Sequence, residues 1–471
     1  MTHILSGDWI TLHGVVVATG LTIYAVGSHT LNQRRHPSAA IAWLIALVLI
    51  PYLALPIYLM LSKRKHVKRS IIPRALMLDN YVEKRDDGSE IDEHLPAALG
   101  LPSLATFEHM SIHADGQQSL NVLRAMIAQA KQSLDLSTFI FGRDVLGDEI
   151  AQLLITRAKQ GLKIRLLLDG VGVYMGGWPD IKALKKAGVK VELFVSPYKS
   201  ALKGRMNLRN HRKLVVVDNH WLWCGGRNIA AQYFVGDPTS SKQAKPWIDL
   251  SFDLQGALAA QAQQRFDLDW AFATRQKPIQ RAALASILPV SRDQHRGRLV
   301  PSGPDQSDDT IYTLLVSSCF TARHRILAVS PYFVPDPPLL MGLALAARRG
   351  VRVDLLLPRQ SNHRLADIAR LYAFRELAAA GANIWLSPHM VHAKAIVIDD
   401  KLALAGSANL DSRSLFLNYE IMVAFNDESV VRDFEAWIDL QRTDARIYRP
   451  HPPRLPRELL EAMVRWVAFQ L

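Results

Sequence analysis

Cysteine is scarce in this chain, and its scarcity excludes a fold held together by disulfides or by a cysteine-rich zinc site. The 471 residues include two cysteines, Cys224 and Cys319. A disulfide framework needs several cysteine pairs, and a structural zinc site needs clustered cysteine and histidine ligands, so neither organises the fold. The two thiols fit a reducing compartment for the main part of the chain.

Negative charge is also in short supply relative to positive charge. The chain has 56 lysines and arginines against 43 aspartates and glutamates, which leaves a net charge of +13. Such an excess attracts acidic partners, and both nucleic acid and anionic lipid surfaces fit this description. Charge alone does not choose between these two partners.

Charged side chains are missing from two amino-terminal stretches, residues 9–33 and 39–62. A membrane-spanning helix needs about 20 mostly apolar residues, so each stretch is long enough to cross a bilayer. No lysine or arginine precedes the first stretch, which argues against a cleaved signal peptide. The sequence therefore predicts a transmembrane helical hairpin. Two alternatives stay open: a buried core helix, and a re-entrant second segment broken at Pro51 and Pro56.

A dense basic run follows the second hydrophobic stretch. Residues 63–69 contain five lysines and arginines. Such runs lie on the cytoplasmic side of membranes, and each charge beside an anionic leaflet adds about 1 kcal/mol of attraction. The run predicts that the rest of the chain is cytoplasmic, although Arg34 and Arg35 in the connection argue for the opposite orientation.

The remainder of the chain repeats one order of helices and strands. Helical periodicity covers residues 123–134, 149–160 and 181–187 in the first copy and 313–321, 339–349 and 371–380 in the second. Strand patterns cover 136–141 and 163–169, then 326–331 and 351–357. These units predict an α/β fold with two pseudo-symmetric lobes, each a mostly parallel sheet flanked by helices. The predicted boundaries are 1–70 for the hairpin and basic flank, 71–104 for a linker, 105–285 for the first lobe and 286–471 for the second.

One polar pattern, His-x-Lys-x-x-x-x-Asp, occurs once in each copy of the repeat, followed ten residues later by an asparagine. The two sets are His211, Lys213, Asp218 and Asn228, then His392, Lys394, Asp399 and Asn409. In a strand, residues i and i+2 point to the same face, so each histidine shares a face with its lysine. If the lobes pack face to face, both pairs converge in one cleft.

The chemistry of these residue types suits a phosphodiester. Two imidazoles can act as nucleophile and as general acid or base, and two ammonium groups can hold phosphate oxygens. The asparagine amides can add hydrogen bonds where charge develops at phosphorus. No carboxylate cluster of the metal-ligand type accompanies the motifs, and lysine is a poor neighbour for a divalent ion. The sequence therefore predicts catalysis without a metal or cofactor.

These motifs resemble those of the phospholipase D superfamily, which carries two HKD motifs, and within it the bacterial cardiolipin synthases with an amino-terminal membrane hairpin. The resemblance covers nearly the whole chain. It extends to the segment Trp247-Ile248-Asp249, to residues 330–335 and 406–414, and to Asn418-Tyr419-Glu420.

The resemblance implies a ping-pong transfer of a phosphatidyl group between two phosphatidylglycerol molecules, giving cardiolipin and glycerol. By this similarity His211 is the nucleophile and His392 the acid and then the base, with the reverse assignment left open by the symmetry. Further roles are carried over in the same way: Lys213, Lys394, Asn228 and Asn409 hold the phosphate, Asp249 and Glu420 orient the imidazoles, and Asp218 and Asp399 are structural members of the catalytic motifs.

The implied partners are phosphatidylglycerol, other anionic lipids and the bilayer, without nucleic acid, and a homodimer is compatible with the sequence. The implied location is the bacterial inner membrane, crossed more than once, with the lobes on the cytoplasmic side. Three other functions stay open: a phospholipase D hydrolase, a nucleic-acid phosphodiesterase and a non-catalytic lipid-binding protein. The hydrophobic segments, and the lack of an aromatic stacking array near the motifs, speak against nucleic acid.

Three further features lead to smaller expectations. Gly225 and Gly226 stand where the second copy has Ser407, which suggests unequal halves. The carboxyl-terminal residues 459–471 are amphipathic and predict either packing on the second lobe or a place at the membrane interface. Basic residues before the first motif could gather anionic head groups at the cleft, namely Lys199, Lys203, Arg205, Arg209 and Arg212.

Overall fold

The computed structural model describes residues 7–30, 37–61, 65, 94–195, 207–237, 245–279 and 295–467. Several predicted features lie outside these residues: the connection at Arg34 and Arg35, most of the basic run 63–69, the linker up to residue 93, three basic residues before the first motif (Lys199, Lys203, Arg205) and the lobe boundary at 285.

Most strands of the described residues join one fifteen-stranded sheet. The first half supplies β1 (Ala105–Ile112), β2 (Ser133–Thr138), β3 (Lys163–Asp169), β4 (Lys190–Phe194), β5 (Leu214–Val217), β6 (Trp221–Gly225) and β7 (Ser251–Gln255). The second half has β8 (His295–Ser302), β9 (Arg325–Val329), β10 (Phe333–Val334), β11 (Arg352–Pro358), β12 (Asn383–Ser387), β13 (Ala395–Ile398), β14 (Leu402–Gly406), β15 (Leu410–Asp411), β16 (Glu420–Phe425) and β17 (Arg446–Ile447). Strands β10 and β15 form a separate pair.

Helices cover both faces of this sheet and precede it at the amino terminus. The amino-terminal ones are α1 (Gly7–Thr30), α2 (Pro37–Leu49), α3 (Pro51–Leu61) and α4 (His94–Ala98). The first half adds α5 (Gly116–Gln129), α6 (Val145–Lys159), α7 (Gly172–Met175), α8 (Ile181–Lys186) and α9 (Ala257–Thr274). The second half adds α10 (Thr310–Thr321), α11 (Pro337–Arg348), α12 (Arg364–Ala379), α13 (Ser412–Phe416), α14 (Glu428–Arg442) and α15 (Leu455–Val467).

Aspartate side chains determine where several of these helices begin. Asp115, Asp144, Asp180 and Asp336 accept hydrogen bonds from the otherwise unpaired first-turn N–H groups of α5, α6, α8 and α11. Such caps stabilise a helix start by about 1 kcal/mol each.

The strand order repeats on either side of a central join. One half runs β4-β3-β2-β5-β6-β7-β1, and the other runs β12-β11-β9-β13-β14-β16-β8, with β17 outside β12. Strands β1 and β8 pair antiparallel and connect the halves. The core beside this join draws Phe107 and Phe252 from one half and Phe425 and Phe434 from the other. The α/β class is confirmed, and the two halves share one sheet and one core.

The prediction of mostly parallel sheets is wrong, because each half is mixed. Strands β2, β3 and β4 are parallel, but β5, β6, β7 and β1 pair antiparallel. The reason is the hairpin after the motif strand. Asp218 and Asn219 adopt left-handed φ angles of 52° and 60°, and Asp399 has φ 52° in the second hairpin. A short turn of this kind returns the chain antiparallel, whereas parallel strands need a long crossover.

The amino-terminal segments form three helices where the sequence predicted two. Proline lacks an N–H and its ring clashes with the carbonyl four residues earlier, so α2 ends at Leu49 and Pro51 begins α3. The three helices contact one another, with Tyr24, Leu47 and Tyr58 buried between them. Within the described part of the chain, no helix combines the length and the apolar character that a bilayer crossing requires.

Two segments before the first lobe contact the second one. Lys65, the described residue of the basic run, forms a 2.7 Å ion pair with Asp309, so this charge is directed at protein. Residues 94–104, predicted as linker, contain α4 and bury Leu99 and Leu101 in the second-lobe core. The packed part of the chain therefore starts before the predicted residue 105.

Candidate active site

Backbone bridges between the halves place each motif histidine beside the opposite half. Asn210, just before His211, bridges Tyr419, and Val391, just before His392, bridges Ile248. The His211 N–H donates to the Tyr419 carbonyl at 2.9 Å, and the His392 N–H donates to the Ile248 carbonyl at 2.6 Å. Glu420 follows Tyr419 and Asp249 follows Ile248, so each histidine meets a carboxylate that comes from the other half.

The carboxylates hold one nitrogen of each ring. His211 Nδ1 lies 3.0 Å from Glu420 Oε1, and His392 Nδ1 lies 2.7 Å from Asp249 Oδ2. An ionised carboxylate only accepts hydrogen bonds, so each Nδ1 carries the hydrogen. This tautomer leaves the lone pair on Nε2, the nitrogen that can attack phosphorus or take a proton.

Both motif lysines are buried beside the histidine of their own motif. Lys213 Nζ donates to the His211 carbonyl at 2.8 Å, and it lies 5.6 Å from the centre of the Phe139 ring. Lys394 Nζ donates to the His392 carbonyl and lies 3.1 Å from His392 Nε2. The structure thus brings the predicted histidine and lysine pairs together, each with its ammonium group next to a ring.

Burial dominates the proton affinities in the site. It lowers the pKa of His392 to about 3, helped by the Lys394 charge and opposed by Asp249. Burial also lowers the pKa of His211, so both rings are neutral near pH 7. Lys394 has its pKa lowered by burial to about 8, and that of Lys213 lies well below its ordinary value for the same reason. Each motif's lysine acts electrostatically on the other motif's histidine, so the two motifs share one site.

The Gly226 and Ser407 difference follows from the lengths of the two carboxylates. The Ser407 hydroxyl donates to Glu420, which also accepts from Ser414 Oγ at 2.6 Å and Asn418 Nδ2 at 3.2 Å. On the other side, a Cβ added to Gly226 would lie 2.2 Å from Asp249 Oδ1. Glycine makes room for the shorter aspartate, and serine donates to the longer glutamate.

The two motif asparagines have different surroundings. Asn228 accepts from the Ile140 N–H at 3.1 Å and bonds the Tyr233 hydroxyl, whose ring lies 5.0 Å from His392. The Asn409 side chain bonds Asp411 and is mostly buried. Asn228 therefore reaches the His392 side of the site, and Asn409 lies at the β15 side.

The motif aspartates are not brought to the histidines. They stand at the far ends of β5 and β13, where Asp218 accepts the N–H groups of residues 131–133 and Asp399 those of residues 323–325. Burial opposes ionisation of both, but the backbone donors outweigh it and lower each pKa. Their contacts connect the motif strand to its neighbour strand.

The expectation that Arg212 collects head groups is wrong, because its side chain is fully buried. Its guanidinium donates to Asp269 at 2.5 Å and to the Glu420 carbonyl at 3.0 Å. It also donates to the Ser302 carbonyl and pairs with Asp305 in the second half. Arg212 therefore connects the two halves directly beside His211.

Further residues, not predicted as site residues, lie beside the two histidines and their carboxylates. The rings of Phe139, Tyr233 and Trp247 lie 5.3 Å from His211, 5.0 Å from His392 and 5.5 Å from His392, respectively. Ser414 and Asn418 could have been predicted from the sequence, since both stand close to Glu420 in segments that the motif resemblance already included. Trp247 likewise belongs to the resembling segment 247–249, whereas nothing in the sequence indicated Phe139 or Tyr233, and the fold alone brings these two rings to the histidines.

Two duplicated α/β halves, with paired histidines, lysines and exchanged carboxylates, define a phospholipase D-like protein built for phosphodiester chemistry. The sequence profile described as "Cardiolipin synthase, PLD-like domain" matches residues 123–270 and 317–441. The chain belongs to this cardiolipin synthase family. The profile described as "Phospholipase_D-nuclease N-terminal" matches residues 20–63.

Similar proteins agree over almost the full length. Cardiolipin synthase A of Pseudomonas aeruginosa is 30% identical over 461 residues, covering 94% of this chain and 92% of that protein. Cardiolipin synthase A of Escherichia coli is 29% identical over 472 residues, covering 94% and 95%. The solved phosphatidylserine synthase of Haemophilus influenzae has a TM-score of 0.58 at 13% identity, covering 78% of this chain and 97% of its own, and shows the same fold.

Proposed function

We propose that the protein is a cardiolipin synthase that moves a phosphatidyl group from one phosphatidylglycerol to a hydroxyl of another and releases glycerol. The observation that carries this proposal is the pair of neutral imidazoles, each held at Nδ1 by a carboxylate from the opposite half, with a buried lysine beside each. Relatives of nearly equal length carry the name cardiolipin synthase.

In the first step, His211 Nε2 attacks the phosphorus and the bond to the glycerol oxygen breaks. The bound phosphodiester is an anion, which raises the proton affinity of both rings, so His392 takes up a proton at Nε2 on binding and donates it to the leaving oxygen. In the second step, His392 takes the proton from the incoming phosphatidylglycerol hydroxyl as that oxygen attacks phosphorus. The phosphorus–nitrogen bond breaks and cardiolipin leaves.

The remaining site residues stabilise charge or hold geometry. Lys213 and Lys394 balance the negative phosphate oxygens, and the Asn228 and Asn409 amides add hydrogen bonds as charge develops. Asp249 and Glu420 stabilise the imidazolium form and hold the ring orientation. These roles need no metal or cofactor.

Lys394 supports the assignment of His211 as nucleophile. Among the described residues, none forms a hydrogen bond with His211 Nε2, whereas Lys394 Nζ lies against the His392 ring, 2.8 Å from Nδ1 and 3.1 Å from Nε2. A lone pair without such a donor is available for attack. Quenching with denaturant at neutral pH during turnover, which spares the acid-labile phosphorus–nitrogen bond, followed by mapping of the phosphatidyl group, tests this: we expect it on His211, and modification of His392 would reverse the two roles.

Labelled phosphatidylglycerol tests the reaction with the detergent-solubilised full chain. We expect cardiolipin and free glycerol, while phosphatidic acid as the sole lipid product would identify a hydrolase instead. His211→Ala and His392→Ala should each reduce the rate by about 10³-fold or more. The exposed neighbours His220 and His389 provide matched controls, since His220→Ala and His389→Ala should leave the rate unchanged.

We also assign the amino-terminal helices to the membrane, with the catalytic halves on the cytoplasmic side of the bacterial inner membrane. Large apolar side chains on α2, on α3 and at the residue between them are exposed to solvent, among them Leu49, Leu53 and Ile50. Monomeric soluble proteins rarely leave such a contiguous surface uncovered. The basic run 63–69 supports the cytoplasmic orientation.

A further inference from the structure

The carboxyl-terminal helix α15 is amphipathic, but its polar side faces the protein and its apolar side faces solvent. The side chains that face the protein include Glu461, which is buried and pairs with Arg375 at 2.5 Å, and Val464. The side chains on the opposite face are apolar, with exposed fractions of 69% for Leu455, 58% for Leu459, 49% for Leu460 and 70% for Met463, while the charged Arg457 and Glu458 are exposed beside them. A soluble surface helix places its apolar stripe against the core and its charges outward.

The exposed residues form one continuous stripe. Leu455, Leu459 and Met463 are spaced four residues apart, so they lie one above another on the same helix face. Leu460 widens the stripe by one position. An uncovered stripe of this size indicates an apolar partner.

The contacts of α15 connect the stripe to the amino-terminal helices. α15 packs on α12 and also contacts α2. The outer face of α2 exposes Ile41, Ile45 and Leu49. The stripe of α15 thus continues an apolar surface that the amino-terminal helices begin.

A cluster of side chains connects the same helix to the catalytic site. Val464 packs with Val334, Ala366 and Ala369, and Tyr332 lies against this cluster. Tyr332 is within electrostatic range of Tyr233, whose ring lies 5.0 Å from His392. α15 is therefore connected, through Tyr332 and Tyr233, to the His392 side of the site.

Positive charge flanks the stripe. Exposed arginines stand before α15, namely Arg446, Arg449 and Arg454, and Arg457 in its first turn is exposed but pairs with Glu461 at 3.4 Å. Apolar side chains beside arginines fit a bilayer that contains anionic lipids, because acyl chains take the stripe and head-group phosphates take the guanidinium groups. A second protein copy would bury the stripe but would bring the same arginines together.

We infer that α15 is a membrane-interface helix that lies in the surface of an anionic bilayer and holds the His392 side of the site close to the lipid head groups. The inference rests on the proposed function, since a lipid substrate must pass from the bilayer to the buried histidines. It assigns to α15 a task separate from the amino-terminal helices, which attach the chain but carry no site residue.

A single labelled cysteine tests the position of the stripe. Cys224 and Cys319 are buried, so Met463→Cys can be labelled selectively with an environment-sensitive fluorophore. In full-length protein reconstituted into phosphatidylglycerol–phosphatidylcholine vesicles, we expect a blue shift and quenching by brominated acyl chains. Met341→Cys on α11, where Met341 is 54% exposed, is the matched control and should show neither change.

Two results would overturn the inference. The label at position 463 could remain water-exposed and unquenched in vesicles, or its shift could appear without lipid and follow protein concentration, which would indicate a second copy as the partner.

A variant with two negative charges introduced into the stripe separates this inference from the proposed function. Leu459→Glu combined with Met463→Glu should lower the rate on vesicles about tenfold or more, and leave the rate in detergent mixed micelles unchanged. Met341→Glu combined with Leu440→Glu is the control for two equally exposed apolar positions. If the wild-type chain makes no cardiolipin in micelles, the proposed function fails; if it does, and the stripe variant keeps its vesicle rate, only the inference fails.

Discussion

At the scale of single residues, the two carboxylates carry the most direct prediction. Glu420→Gln and Asp249→Asn keep the side-chain shape but remove the charge that holds the Nδ1–H tautomer. Each change should lower kcat by about 10²–10⁴-fold, with little effect on KM, because the lost interaction matters most when the ring is protonated. Glu435→Gln is the control, since Glu435 pairs with Arg325. If a variant retains the wild-type kcat, the carboxylate that it lacks has no role in the mechanism.

The unequal halves can be tested by exchanging the small residues. Gly226→Ser would place a Cβ 2.2 Å from Asp249 Oδ1, so it should displace the carboxylate from His392 and reduce kcat about 10²-fold. Ser407→Gly removes one hydrogen bond to Glu420 and should cost about tenfold. Steady-state rates of both variants provide the measurement, and equal losses would contradict this explanation of the difference.

Deprotonation of Lys394 should determine how the rate falls at alkaline pH. Burial lowers its pKa to about 8, so the ammonium charge is present below that pH and is lost as pH rises through it. We expect kcat/KM, which reports the free enzyme, to fall with an apparent pKa near 8. Lys394→Arg keeps its charge at higher pH, so any remaining activity of this variant should extend to more alkaline conditions. An unchanged alkaline limb in the arginine variant would assign the titration to another group.

At the scale of secondary-structure elements, the motif aspartates should act on stability. Asp399→Asn weakens three hydrogen bonds to backbone N–H groups and should lower the free energy of unfolding by about 2 kcal/mol. The folded protein should keep its activity, because the aspartate does not contact His392. The exposed neighbour provides the control variant, Asp400→Asn.

The same variant has a pH dependence whose sign follows from the lowered pKa. The Asp399 charge stabilises the fold above the ordinary aspartate pKa near 4, and this contribution is lost as pH falls through the lower folded value. Denaturant unfolding should therefore show a large difference between wild type and variant at neutral pH and a smaller one near pH 3. A difference that grows towards acid would contradict this account.

At the scale of the whole molecule, one chain contains one complete site. Each histidine takes its carboxylate from the other half of the same chain, and Arg212 connects those halves. Mixing His211→Ala protein with His392→Ala protein should therefore restore no cardiolipin formation, even if the chains form a homodimer. Recovery of activity in the mixture would show that the halves are exchanged between chains. Each variant measured alone, at the same total concentration, is the control.

The sequence by itself determined the chemistry and the class of fold. Two His-x-Lys-x-x-x-x-Asp motifs in a repeated α/β pattern are local signals, since strand alternation places histidine and lysine on one face and helix periodicity marks the covering helices. Only the tertiary structure decided which carboxylate meets which histidine, that the sheet is mixed, and that Arg212 is buried between the halves. The physical reason is distance along the chain: His392 and Asp249 are 143 residues apart and His211 and Glu420 are 209 apart. Contacts between residues so far apart in the sequence leave no trace in local periodicity, because they arise from the packing of the two halves.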